Sequence, residues 1–407
     1  MSKAKGRSIW WRIHAWAGLK LSLLLAAILA TGTFATISTE LDWLATPAMR
    51  VAPASTPHAS WGQLAMSAQS ALPESTIRSI VAPPNSRFAA EAWVEQPDGE
   101  LMRIWLNPYN ARVQGIGPWT NIQVMLCEIH RRLLLPNFIG IRLVSAFSLL
   151  LTVLVVTGLV SYRRFWRGFF RWPKRRRGNN RQLLGDVHRL LGLWSLWFVA
   201  LIAMTGFWYL IESLGADAPA ASYTGKAVAQ MQGFSQLDAQ VAAAKAHNPL
   251  LEIREIRLPG RAGAPVAIMG QADAILVRDR ANTVWIDPAS NRVLDSIRGE
   301  DLSVHQRISE MADPLHFGTW GGLSTKLLWF CFGLMLTGLS VAGIIVSSLR
   351  LHREACAGRQ DSSSGLGRVW LQGMGPWAYP ALALLTFVGV LVIGYLVGLA
   401  PSAAIEW

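Results

Sequence analysis

Five stretches of this chain are apolar for about the 20 residues a helix needs to cross hydrocarbon, and this limits its fold more than any other feature. They run 14–36, 139–161, 189–211, 325–347 and 377–399. Hydrocarbon offers no water to backbone N–H and C=O groups, so each stretch must close its own hydrogen bonds as a helix. With 52% apolar residues and a mean hydropathy of +0.29, the 407 residues read as a multi-pass membrane protein, mainly α.

The net charge of +13 would suit a nucleic-acid binder, but its placement points elsewhere. Residues 163–181, between two apolar stretches, hold nine basic residues and no acid. Lys3, Lys5, Arg7 and Arg12 precede the first stretch, while Arg350, Arg353, Arg359 and Arg368 follow the fourth. If every stretch crosses, these segments share one side, the positive-inside pattern. The N-terminus (1–13) and the loops 162–188 and 348–376 are then cytoplasmic. Segments 37–138, 212–324 and 400–407 are periplasmic, in a bacterial inner membrane. The expected partner of the basic loop is lipid headgroup rather than nucleic acid. The first stretch is too long for a secretory h-region and lacks a small-residue cleavage site, so it is read as a retained helix.

The chain repeats itself. His14, Gly18, Leu19, Thr31 and Gly32 recur as His188, Gly192, Leu193, Thr205 and Gly206 with one constant offset of 174. "WLNPYNARV" (105–113) and "WIDPASNRV" (285–293) share their Trp, Pro and Arg-Val, and each reads as strand, turn and strand. A helical pattern precedes each, at "WGQLAMSAQSAL" and "FSQLDAQVAAAKAHN". "IREIRLP" and "AILVRD" read as further strands, and "LTVLVVTGL" pairs with "FGLMLTGL" at the ends of the second and fourth spans. Each half therefore runs membrane helix, small outer α+β domain, membrane helix, an internal duplication. The span 377–399 lies outside both halves.

Four histidines mark the ends of these spans. His14 and His188 start the two outward-going ones, near the inner face; His130 and His316 precede the two inward-going ones, near the outer face. On a continuous helix Gly32 shares the face of His14, and Gly206 that of His188, about 27 Å further along. Gly338 lies close to the face of His316, whereas Pro136 should break the helix after His130. An ionisable residue at a membrane span is a candidate for function. Paired neutral imidazoles suit the axial positions of haem iron, with the porphyrin supplying the other four ligands. The pattern fits one b-type haem between His14 and His188 and another between His130 and His316, an electron path across the bilayer.

Other readings stand beside this one. Boundary histidines also serve as interfacial anchors, and Gly32 and Gly206 as small-residue helix contacts. His305 could replace His316 as the outer ligand, although Pro314 argues against a continuous helix between them. Arg131 and Arg132 could pair with haem propionates or with headgroups, and Arg189 suits headgroups. Trp119, Trp320 and Trp407 could line an outer substrate surface or pack in a core. His58, His247 and His352 read as solvated. Cys127, Cys331 and Cys356 form no disulfide framework, and the absence of CxxCH excludes covalent c-type haem. No local H-x3-H or C-x2-C set favours zinc, and no GxGxxG or P-loop marks a nucleotide or flavin domain.

"IHAWAGL", "EIHRRLLLP", "DVHRLLGLW" and "PLHFGTWGG" resemble the four histidine motifs of PepSY-associated transmembrane proteins, and the W-x-x-P repeats resemble PepSY domains. The resemblance covers residues 8–350 and includes the FoxB-type ferrisiderophore reductases among iron-regulated inner-membrane proteins. It implies a bundle of about five transmembrane helices with two small PepSY-like outer domains. It also implies two b-type haems on His14, His130, His188 and His316, and electrons passing from a cytoplasmic or membrane donor to a ferric siderophore outside. Two competing functions are a PepSY sensory or peptidase-regulating module anchored by its helices, and an iron-complex permease. A broken midspan helix would favour the permease, and none is expected from this sequence.

Overall fold

The computed structural model describes residues 8–162, 164–173, 180–220, 222–228, 230–356 and 365–396. Expectations resting on Lys3, Lys5, Arg7, Arg359, Trp407, the basic run at 174–179 and the tail at 400–407 fall outside these residues.

In chain order the helices are α1 (Ile9–Lys20), α2 (Ser22–Ala35), α3 (Ser38–Ala45), α4 (Trp61–Ala71), α5 (Ile122–Arg132), α6 (Asn137–Ser161), α7 (Asn180–Trp194), α8 (Leu196–Ser213), α9 (Leu237–His247), α10 (Val304–Phe317), α11 (Gly322–Cys356), α12 (Leu366–Met374) and α13 (Ala378–Leu396). Strands β1 (Thr76–Val81), β2 (Ala90–Glu95), β3 (Leu101–Leu106) and β4 (Val113–Pro118) follow α4. Strands β5 (Glu252–Arg257), β6 (Val266–Gln271), β7 (Asn282–Ile286) and β8 (Val293–Ile297) follow α9. The chain divides into a helical unit (1–37, 125–217, 316–400) and a sheet unit built from 38–124 and 218–315.

In the helical unit, Asn137–Ser161, Leu196–Ser213, Thr319–Glu354 and Leu366–Leu396 are long and apolar enough to cross a membrane. The fifth candidate is α1 with α2, bent by 70° at Leu21. The expected unbroken first span is therefore corrected, and the third is interrupted between α7 and α8 at Ser195, with Leu196–Ser213 by itself long and apolar enough to cross. Leu21 and Ser195 have ψ of 14° and 5°, and they are separated by the same offset as His14 and His188. Neither break has proline. Side chains repair them instead: Ser22 Oγ donates to the Leu19 carbonyl (2.8 Å) and Ser195 Oγ to that of Leu191 (2.7 Å). Residues of α12 close the first break, where Lys20 Nζ donates to the Gly373 carbonyl (2.7 Å) and Trp370 Nε1 to Ser22 Oγ (2.9 Å).

The sheet unit holds one eight-stranded antiparallel sheet rather than two separate domains, in the order β4-β3-β2-β1-β5-β6-β7-β8. β1 and β5 join the halves through Ser79 with Arg257, Ile80 with Ile256 and Val81 with Glu255. Each half would otherwise leave its β-branched first strand as an open edge, and pairing the two edges removes both. One core serves both halves, uniting Leu64 and Ala68 of α4, Leu237 and Ala244 of α9, and Ile80, Ile104, Ile256, Ile268 and Ile286 of the strands. α4 and α9 meet where the Gly62 N–H donates to Asp238 Oδ1 (3.0 Å). "IREIR" is a strand as expected, but "AILVRD" is not; Val266–Gln271 takes its place beside β5. Pro314 sits inside α10, which is continuous across it. Arg278 fastens that turn, bonding Glu310 and Asp313 (2.9 Å each) and the Ser309 carbonyl (3.2 Å).

Candidate functional site

The four motif histidines all belong to the helical unit and meet in the expected pairs. His14 of α1 and His188 of α7 have ring centroids 6.3 Å apart at 75°. His130 of α5 and His316 of α10 have centroids 6.1 Å apart at 33°.

Each imidazole is fixed through Nδ1. His130 bonds the Ile28 carbonyl (2.9 Å), His188 that of Leu339 (2.9 Å), and His14 that of Leu154 (3.1 Å) with Thr157 Oγ1 also at 3.1 Å. A carbonyl can only accept, so each of these Nδ1 atoms carries the proton and Nε2 presents a lone pair. His316 bonds Thr205 Oγ1 (2.8 Å). The Thr205 hydroxyl also reaches the Leu201 (2.9 Å) and Ile202 (3.2 Å) carbonyls, which can only accept; with its single proton directed there, as is usual in a helix, Thr205 accepts from His316. All four rings are thus the same tautomer.

One local device admits the rings. A helical side chain covers the turn N-terminal to its own Cα, so residue i+4 normally shields carbonyl i. Glycine stands at i+4 from each directly bonded carbonyl: Gly32 after Ile28, Gly158 after Leu154, Gly343 after Leu339. A Cβ at Gly32 would lie 2.5 Å from His130 Cε1, at Gly343 3.0 Å from His188 Cε1, and at Gly158 3.4 Å from His14 Cε1. Thr205 occupies the corresponding position after Leu201, and there the hydroxyl mediates.

The residues of each pair could hold one haem between their two imidazoles. A metal bonded to two imidazole nitrogens at about 2 Å each holds the ring centroids roughly 6 Å apart. Ligating histidines characteristically donate their other N–H to an acceptor, as all four do here. Among the described residues no group of three or more His, Cys, Asp or Glu side chains is gathered to hold a bare metal ion, so further ligands would have to come from a macrocycle. His130 and His316 border a cavity whose apolar lining includes Leu29, Phe198, Ile202, Phe317, Trp329 and Leu336.

The pairs are closer together than a bilayer's thickness. On α11, Gly333 lines the cavity of the second pair and Gly343 meets His188 of the first, a separation of roughly 15 Å at 1.5 Å per residue. Hydrocarbon is about 30 Å thick. The 70° bend explains the shortfall, because the residues between His14 and Leu21 do not add their length along α2.

Several expected partners are reassigned. Gly32 packs on His130, not on the stripe of His14, because the helical phase is lost at Leu21. A Cβ at Gly206 would lie 3.1 Å from Ser148 Cβ, which makes it a close approach of α8 to α6, and one at Gly338 would lie 3.8 Å from Leu191 Cδ1. Arg132 pairs with Glu128, Arg131 is exposed, and Arg189 pairs with Asp186 (2.6 Å). His305 is exposed and stands eleven residues before His316, roughly 16 Å along α10, so His316 is the ring that faces His130. Trp119 is buried against the Arg103 guanidinium (4.3 Å), while Trp320 is exposed. His352 lies in α11 rather than in a tail. Gly158, Gly343 and the acceptor role of Thr205 are additions to the expected set. The shared "TGL" of the second and fourth spans pointed to glycine, but it aligned Gly158 with Gly338 instead of Gly343.

Candidate spans, a separate antiparallel sheet and half-buried histidines held in pairs define a multi-pass membrane protein of mainly helical build. A family described as the PepSY-associated TM region matches residues 11–350, and the chain belongs to it. An uncharacterized protein of Pseudomonas aeruginosa is 36% identical over 92 residues, which are 23% of this chain and 22% of that protein's length. α12 and α13 lie beyond the family match.

Proposed function

We propose that this protein is an inner-membrane reductase holding two b-type haems, one between His14 and His188 and one between His130 and His316. The carrying observation is that both pairs have the ring spacing of axial ligands and all four Nδ1 atoms are bonded to acceptors. A haem bound at each pair would supply a one-electron carrier. The chain orients each ring through Nδ1, leaving Nε2 to hold the haem, and lines the cavity beside the second pair with the apolar Phe198, Phe317 and Trp329. The substrate is a ferric complex, best a ferric siderophore. One electron converts its iron to the ferrous state, whose hold on hard oxygen ligands is weaker, which releases the metal for uptake. A cytoplasmic or membrane reductant donates, with the N-terminus cytoplasmic as the basic segments suggest. The recurring histidine spacing and matching helix breaks support an origin by internal duplication.

The break at Leu21 favours the permease as a second reading, although its polar groups are bonded within the chain. Absorption spectra of detergent-purified protein, oxidised and dithionite-reduced, with a pyridine haemochrome count, separate the two. Two b-type haems per chain support the reductase; none discards it.

A further inference from the structure

The two histidine pairs differ in one atom of their supporting bonds. In the first pair both rings donate to backbone carbonyls, His188 to Leu339 and His14 to Leu154, the latter shared with Thr157. In the second pair His130 donates to the Ile28 carbonyl, but the partner of His316 Nδ1 is the Thr205 hydroxyl. Thr205 is buried at 4% exposure, and its proton is held by Leu201.

An amide oxygen carries more negative charge than an alcohol oxygen and pulls harder on an N–H. The pull makes the imidazole a more basic ligand and favours the more highly charged state of the metal it holds. The Thr205 hydroxyl, polarised by its own bond to Leu201, passes on only part of the pull that a bare carbonyl would exert.

We infer that Thr205 is a positioning residue that sets the second histidine pair at the higher reduction potential, and so sets the direction of electron flow from the His14 and His188 pair to the His130 and His316 pair. This rests on the two-haem reading above. Thr205 also explains why the fourth imidazole lacks a glycine one turn beyond its carbonyl. Glycine there would expose Leu201 and bring the second site to the acceptor pattern of the first. The Thr205 hydroxyl thus stands where each of the other three rings has a carbonyl.

The test is a spectroelectrochemical titration of the full-length protein with haem counted in each sample. The wave that vanishes in His14→Ala identifies the first site. In the wild type the second site should titrate at the higher potential. Thr205→Ser should leave both waves in place, Thr205→Gly should move the upper wave down towards the lower, and Thr205→Val, which keeps the volume but removes the acceptor, should move it up. Two haems with the upper wave unmoved in both Thr205→Gly and Thr205→Val, or a wild-type second site below the first, would overturn the role of Thr205 and leave the two-haem reading intact. A wild-type protein without haem would overturn both.

Discussion

The first histidine pair and the second hold their rings at nearly the same distance, 6.3 and 6.1 Å, yet at different angles, 75° and 33°. The space behind the rings differs too. A Cβ at Gly158 would make ordinary contact with His14 at 3.4 Å, whereas one at Gly32 would enter the van der Waals shell of His130 at 2.5 Å. The shared distance suits a common occupant, while the angle and the backing follow from whichever helix each ring leans on. Centroid spacing is therefore the feature to test for a cofactor, and the backing residues are where the two sites can be told apart.

Removing a ligand should have the largest effect. His14→Ala or His188→Ala should halve the haem content and spare the other site, and His130→Ala or His316→Ala should do the converse; full content in all four variants would refute the assignment. The glycines come next and should grade with the available space. Gly32→Ala should cost about 1–3 kcal/mol by overpacking, seen as loss of the second haem on mild heating. Gly343→Ala should loosen the first site less, and Gly158→Ala should be tolerated, since alanine gains up to about 1 kcal/mol in helix propensity. An equal response at positions 32 and 158 would erase the contrast.

The smallest effect reaches only the helix of the second pair. Asp42, 2% exposed, caps the N-terminus of α5 by accepting from the Ile122 and Gln123 N–H groups (2.9 Å each), and α5 carries His130. Asp42→Ala should cost about 1–2 kcal/mol and loosen the second site alone. Burial raises the Asp42 carboxyl above the usual aspartate range, outweighing the two N–H bonds that lower it. The folded chain therefore binds this proton more tightly than the unfolded chain. Its contribution to stability should rise as pH falls through the window between the ordinary and the raised value, and Asp42→Asn should flatten that slope in thermal melts.

The pairing of His14 with His188 and of His130 with His316 was legible in the sequence, because a fixed spacing repeated in two apolar segments places equivalent residues in equivalent positions. The breaks were not legible. Leu21 and Ser195 are neither proline nor glycine, and the first break is secured by tertiary bonds, Lys20 and Trp370 with residues hundreds of positions away. Losing the phase at Leu21 also misdirected Gly32, which was matched to the wrong histidine. Pro314 misled in the opposite sense, since Arg278 secures the turn that proline weakens. The acceptor carbonyls of Ile28, Leu154 and Leu339 carry no side-chain signature; only the glycine four residues on betrays them. In the sheet unit the strand-turn-strand repeats were plain, but nothing local says that Ile80 will lie beside Ile256.

That long-range seam between β1 and β5 imposes an order in time. The ribosome completes Val81 well before Glu252, and at 5–20 residues per second the gap is on the order of ten seconds or more. From Pro118 onward the first four strands exist with β1 unpaired on one side while two candidate membrane spans, Asn137–Ser161 and Leu196–Ser213, are still being made and inserted. The newborn half-sheet is in that interval an adhesive edge awaiting its own descendant, and a copy from a neighbouring ribosome would satisfy it equally well. Synthesis rate and chaperone cover across residues 82–251 therefore bear on the yield of this protein as directly as any residue in its finished core.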